Sequence, residues 1–244
     1  MSERASEPLG TATDTRAQVL GTTAGLQGVL IDMDGTLLDS EKVWEVALHD
    51  LAASFGGRLS PAARALMVGS SMARSTAIMS AELGVELDPV TTRRFLHERM
   101  AELFAAELAW KPGAERLLLA VREAGIPTAL VTATQRKLTE DALNFMGRHL
   151  FDASVCGDEV TRGKPDPEPY QRAAALLGAD PARCVAIEDS PTGIQSAEGA
   201  GCAVLAVPSE IPIAPATSRV LRESLIDVDV DQLQQLIAER LSRP

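Results

Sequence analysis

Gly28-Val-Leu-Ile-Asp32-Met33-Asp34-Gly35-Thr36 is a short apolar run that closes on two acids and a glycine. An apolar run bounded by turn residues is the pattern of a strand buried on both faces. Four more runs share the pattern: Thr128-Ala-Leu-Val-Thr132, Ala153-Ser-Val-Cys156, Cys184-Val-Ala-Ile-Glu188 and Cys202-Ala-Val-Leu-Ala-Val207. From Pro112 onward, stretches with helical Ala/Leu spacing separate them: Ala114 to Ala124, Lys137 to Met146, Pro167 to Leu177 and Gly193 to Ala200. Ile211-Pro-Ile-Ala-Pro215 reads as a loop and Asp231 to Leu241 as a closing helix. Strands alternating with helices predict an α/β fold with a doubly wound, parallel, Rossmann-like sheet.

Between the first strand and the second, Glu41 to Lys111 looks wholly helical. Breaks at Gly56-Gly57, Ser60-Pro61, Gly69-Ser70-Ser71, Gly84 and Asp88-Pro89 divide it into four or five helices. One crossover needs a single helix, so this stretch is an α-helical insert. It is expected above the carboxyl ends of the strands, where open α/β sheets place ligands. The expected organisation is a disordered lead-in over 1–26, an α/β core over 27–40 and 112–244, and the helical insert over 41–111.

The chain has 244 residues, 45% hydrophobic and 23% charged, which excludes disorder as its main state. Its net charge of −11 repels phosphate backbones and anionic lipid, so nucleic acid and membrane surfaces are not expected partners. Cys156, Cys184 and Cys202 sit in or beside apolar runs and read as reduced core residues of a cytoplasmic protein. No run approaches the length of a membrane span, and the polar N-terminus lacks the apolar centre of a secretory signal. A monomer or a weak homodimer is expected.

Asp32 and Asp34, two apart at a strand end, turn their side chains to the same side, and two converging carboxylates need a cation or a shared proton. Taken alone, one could be a helix cap and the other a solvated turn residue. Thr132-Ala133-Thr134 ends the second strand with hydroxyls and backbone N–H groups suited to a phosphate oxygen, although Thr132 also suits an N-cap. Lys164, in Gly163-Lys164-Pro165-Asp166-Pro167, is a cation on a rigid turn or a solvated loop lysine. Glu188-Asp189 places two acids against a fully apolar strand, where burial demands a counter-ion. Together the four strand ends make one cluster of carboxylates, hydroxyls and a lysine.

Asp32-Met-Asp-Gly-Thr-Leu-Leu-Asp39-Ser40, Thr132, Gly163-Lys164-Pro165-Asp166-Pro167 and Ile187-Glu188-Asp189-Ser190-Pro-Thr-Gly193-Ile194 resemble, in order, the four motifs of the haloacid dehalogenase superfamily. The helical insert after the first motif resembles the cap domain of the subgroup that contains phosphoglycolate phosphatase and β-phosphoglucomutase. The resemblance implies that Asp32 is the nucleophile and forms an aspartyl phosphate. It implies that Asp34 is the general acid, then base. Mg²⁺ would be held by Asp32, the Asp34 carbonyl and Asp189, with Glu188 supporting. Thr132, the Ala133 N–H and Lys164 would bind phosphoryl oxygens.

The activity implied is a Mg²⁺-dependent phosphatase acting on a small sugar- or polyol-like phosphomonoester. A sugar-phosphate mutase is the alternative. Mutases resembling β-phosphoglucomutase carry a His where Trp44 stands here, and indole takes no part in proton transfer. A metal-free dehalogenase has no alkoxide for Asp34 to protonate. In the insert, Trp44 is expected to wall the pocket and Arg74 to contact substrate. His49, His97 and His149 lack metal-ligand spacing and carry no assigned chemistry.

Overall fold

The structure, a computed structural model, describes residues 25–67 and 72–242. The lead-in expected over 1–26 falls almost entirely outside these residues, as does the break at Gly69-Ser70-Ser71.

Six strands form one all-parallel sheet in the order β3-β2-β1-β4-β5-β6. They are β1 (Gly28–Ile31), β2 (Thr128–Val131), β3 (Ala153–Val155), β4 (Cys184–Glu188), β5 (Ala203–Ala206) and β6 (Arg219–Leu221). Alternation along the strands explains the continuous apolar runs. Val29 and Ile31 of β1, with Val185 and Ile187 of β4, face one core, while Leu30 and Ala186 face the other. The first core is closed by α5 (Ala114–Glu123), α6 (Arg136–Met146) and α9 (Val230–Leu241) through Leu117, Leu118, Leu138, Leu143, Leu233 and Ile237. The second is closed by α7 (Glu168–Leu177) and α8 (Pro191–Ala200) through Tyr170, Ala173, Ala174, Ile194 and Ala197. The small side chains of α7 and α8 let these helices lie close on the sheet. Strand β6 was not expected. It is a three-residue edge strand flanked by arginines, and its Arg219 is tied to Glu198 of α8 at 2.8 Å.

The insert is helical among its described residues, in four helices: α1 (Glu41–Ser54), α2 (Pro61–Met67), α3 (Met72–Leu83) and α4 (Pro89–Glu107). Asp88 caps α4, accepting from Thr91 N, with Pro89 at its first turn. The two segments joining insert and core run side by side: Lys111 N donates to Leu37 O at 2.8 Å, and Asp39 N to Ala109 O at 2.9 Å. This pairing hangs the insert over the carboxyl ends of β1 and β4, where the strand order reverses and an open sheet forms its crevice.

Candidate active site

Each group singled out from the sequence follows its own strand: Asp32 and Asp34 after β1, Thr132 to Thr134 after β2, Lys164 in the turn beyond β3, and Glu188 and Asp189 at the end of β4. Beneath the insert lies a cavity of about 610 Å³, whose wall includes Asp32, Asp34, Ala133, Lys164 and Asp189.

Lys164 is the hub. Its Nζ donates to Asp32 Oδ1 at 2.6 Å, to Glu188 Oε1 at 2.6 Å and to Val131 O at 2.9 Å, so all three ammonium hydrogens are used. Burial works against its charge, but Asp32 and Glu188 outweigh that and hold its pKa above the usual lysine value. Burial pushes Asp32 up to about 8, and Glu188 and Asp34 add to the rise against the pull of Lys164. Burial likewise pushes Asp189 up to about 9, with Asp32, Glu188 and Glu41 adding repulsion. Buried carboxylates raised in this way lack sufficient positive charge around them.

The donor set fits a hard divalent cation. Carboxylate oxygens of Asp32, Glu188 and Asp189 lie within 4.8 Å of one another, and all three residues are buried. Oxygen-only ligation of this kind suits Mg²⁺. Glu188 is the least available of the three: its Oε1 takes Lys164 and Tyr170, and its Oε2 takes the Ser190 hydroxyl at 3.0 Å and the Ser190 N–H at 3.3 Å. Among the described residues, Asp189 receives a single 3.3 Å bond, from Thr36. Its Oδ2 lies over Gly35, where φ is +80° and a Cβ would come within 2.2 Å of that oxygen.

Asp34 is clamped by three hydroxyls. Ser40 donates to Oδ1 at 2.6 Å, while Thr134 and Thr132 donate to Oδ2 at 2.7 and 3.1 Å. Ser40 stands at the N-cap of α1 yet caps nothing, because its hydroxyl is turned to Asp34. A local helix rule is broken where chemistry needs the group. Thr132 is buried and outside the cavity wall; its oxygen accepts from Thr134 N at 3.0 Å and donates to Asp34, so its direct contact is with the carboxylate.

Trp44 lines the cavity. Arg74, expected to contact substrate, is exposed on α3 and is not part of that wall, which α3 reaches through Ser75. The arginines in the wall are Arg64 of α2 and Arg93 of α4, joined by His97. Burial and the neighbouring Arg93 and Lys137 lower the pKa of His97. Ser40, Tyr170 and the Arg64–Glu210 ion pair at 2.8 Å carry no assignment from the sequence, since their partners are set by the fold; Thr134, read there as a hydroxyl for a phosphate oxygen, here donates to Asp34.

Residues 26–201 match the haloacid dehalogenase-like hydrolase family. The chain belongs to this family. The hydrolase is 32% identical to hexitol phosphatase A of Escherichia coli (strain K12) over 225 residues, covering 86% of this chain and 93% of that protein. It is 32% identical over 188 residues to a bifunctional riboflavin kinase/FMN phosphatase of Arabidopsis thaliana, covering 74% of this chain; the match spans 48% of the Arabidopsis protein. Among solved structures, CbbY from Rhodobacter sphaeroides in complex with phosphate superposes with a TM-score of 0.75 and 28% identity, over 85% of this chain and 99% of that one. No helix among the described residues of the hydrolase is long and apolar enough to cross a membrane.

Proposed function

We propose that this hydrolase is a Mg²⁺-dependent phosphatase of small sugar- or polyol-like phosphomonoesters, working through an aspartyl phosphate on Asp32. The observation that carries this reading is the contact of Lys164 Nζ with Asp32 Oδ1 at 2.6 Å in the cavity, with Asp189 within reach of a shared cation and Asp34 in the same wall. The Asp32 carboxylate attacks phosphorus, and the bond to the alkoxide leaving group breaks. Asp34 gives that alkoxide a proton and later takes one from the water that cleaves the acyl phosphate. Lys164 offsets negative charge on Asp32 as the phosphoryl group approaches. Asp32, Asp189 and the Asp34 carbonyl would hold Mg²⁺, which when bound supplies further charge neutralisation between nucleophile and phosphate.

The polyol class draws on the relative named as a hexitol phosphatase. Trp44 favours hydrolysis over mutase chemistry, because it walls the cavity without a group that shuttles protons. Three buried, unpaired cysteines support a cytoplasmic location. A panel of phosphate esters, scored for both inorganic phosphate and sugar isomerisation, tests the reading. Phosphate release from polyol or sugar phosphates is expected; efficient isomerisation with little free phosphate overturns it in favour of the mutase.

A further inference from the structure

Tyr170 is the one tyrosine of the chain and is fully buried, in the core between α7, α8 and the sheet. The core cluster to which it belongs is mostly apolar, with Leu30, Val131, Ala173, Ala186 and Ile194 among its members. A buried tyrosine hydroxyl requires a partner. Here it is Glu188 Oε1 at 2.8 Å, the same oxygen that receives Lys164 at 2.6 Å. The Lys164 ammonium also lies 5.3 Å from the centre of the Tyr170 ring. Tyr170 therefore touches both members of the Lys164–Glu188 pair, one through its hydroxyl and the other through its ring.

We propose that Tyr170 is a positioning residue that holds Glu188, and through it Lys164, so that the ammonium stays on the nucleophile Asp32. Glu188 has two donors on each oxygen: Lys164 and Tyr170 on Oε1, and the Ser190 hydroxyl and N–H on Oε2. Its charge is thereby shared out, and Lys164 divides its three hydrogens among Glu188, Asp32 and Val131. Without the phenol, Oε1 keeps Lys164 as its sole donor. The ammonium is then drawn towards Glu188 and away from Asp32. Glu188 acts in this arrangement as a fixed counter-charge and not as a metal ligand.

The proposal rests on the phosphatase reading, and the test separates the two. Tyr170→Phe keeps the ring and removes only the hydroxyl. The expected result is a fall of roughly tenfold in kcat/KM for a phosphate ester, the scale of one hydrogen bond to a charged group. Inhibition by vanadate, which mimics the five-coordinate phosphoryl transition state, should weaken by the same factor. Mg²⁺ binding to the ester-free protein, measured by calorimetry, should be unchanged. A lowered melting temperature with unaltered kcat/KM and vanadate inhibition makes Tyr170 a packing residue and overturns the proposal. A matching loss of Mg²⁺ affinity makes Glu188 a ligand and also overturns it. Because the chain has a single tyrosine, replacing it with 3-fluorotyrosine gives one fluorine resonance from this position in the otherwise native fold. That resonance is expected to shift when Mg²⁺ and vanadate are added; an unmoved resonance contradicts the coupling even if Tyr170→Phe does not fold. Failure of the wild-type protein to release phosphate from any ester defeats the phosphatase reading instead.

Discussion

Gly193 of α8 lies so close to Glu188 that a Cβ on it would stand 1.8 Å from Oε1. Helix α8 begins at Ser190, which caps it through Gly193 N at 3.0 Å while donating its hydroxyl to Glu188 Oε2. The carboxylate is thus wedged between a helix start and Lys164. Gly193→Ala is predicted to displace Glu188, to cost about 1–3 kcal/mol of stability as overpacked sites do, and to lower kcat more than that loss of folded protein explains. Denaturant titration beside steady-state kinetics checks this; a stable, fully active variant contradicts the packing described.

Three hydroxyls from two segments, Ser40 before α1 and the Thr132–Thr134 turn after β2, converge on Asp34, which makes its orientation a property of the fold. Asp34→Ala is expected to slow esters with poor leaving groups by about 10²–10⁴-fold, the range for general acid catalysis. Nitrophenyl phosphate, whose leaving group needs little protonation, should lose less. Equal losses on both substrates would remove Asp34 from the acid role.

Much of this was legible in the sequence, for a physical reason. Strands β1, β2, β4 and β5 are buried along their length, so each is written as a largely apolar run, and the acids after β1 and β4 stand out against it. Strand β6 lies at the edge between arginines and is too short to leave a pattern. Ser40 was hidden because a serine before a helix already has an ordinary explanation, which the structure shows it does not fulfil. Tyr170 sits in an Ala-rich helical stretch where an aromatic reads as core, and only the fold brings its hydroxyl to Glu188 at the end of β4. Arg64 and Glu210 pair across 146 positions, a distance that no local pattern spans. Arg74 was expected in the pocket from its place after Gly69-Ser70-Ser71, but the rotation of α3 gives the wall to Ser75.

Asp189 is held by one long hydrogen bond and faces Asp32 across the carboxylate cluster. Asp189→Ala is predicted to raise the Mg²⁺ concentration for half-maximal activity by at least about tenfold. Calcium should inhibit the wild-type protein, because its larger and more flexible shell spoils the geometry of in-line attack. Titration of each metal against phosphate release checks both outcomes, and undiminished activity in excess chelator contradicts them.

The three thiols are all buried. Burial pushes Cys156 up to about 11 from an ordinary value of 9.0, and Cys184 and Cys202 up to about 12. The thiolate forms more readily in the unfolded chain, so the unfolded state releases protons first as pH rises. Stability is unaffected by these groups below their unfolded value and falls as pH climbs from there towards their folded values. Native protein at neutral pH should resist alkylation, and all three thiols should react after denaturation. Rapid labelling of the native protein contradicts this.

The central claim is that Asp32 attacks phosphorus with the help of a bound divalent cation. It is tested most directly by following inorganic phosphate release from a polyol phosphate by wild-type protein and by folded Asp32→Asn, each with Mg²⁺ and with chelator. The account predicts release only by the wild-type protein with Mg²⁺, because an amide is a poor nucleophile and a weaker ligand. Comparable release by Asp32→Asn, or by wild-type protein in chelator, would contradict it.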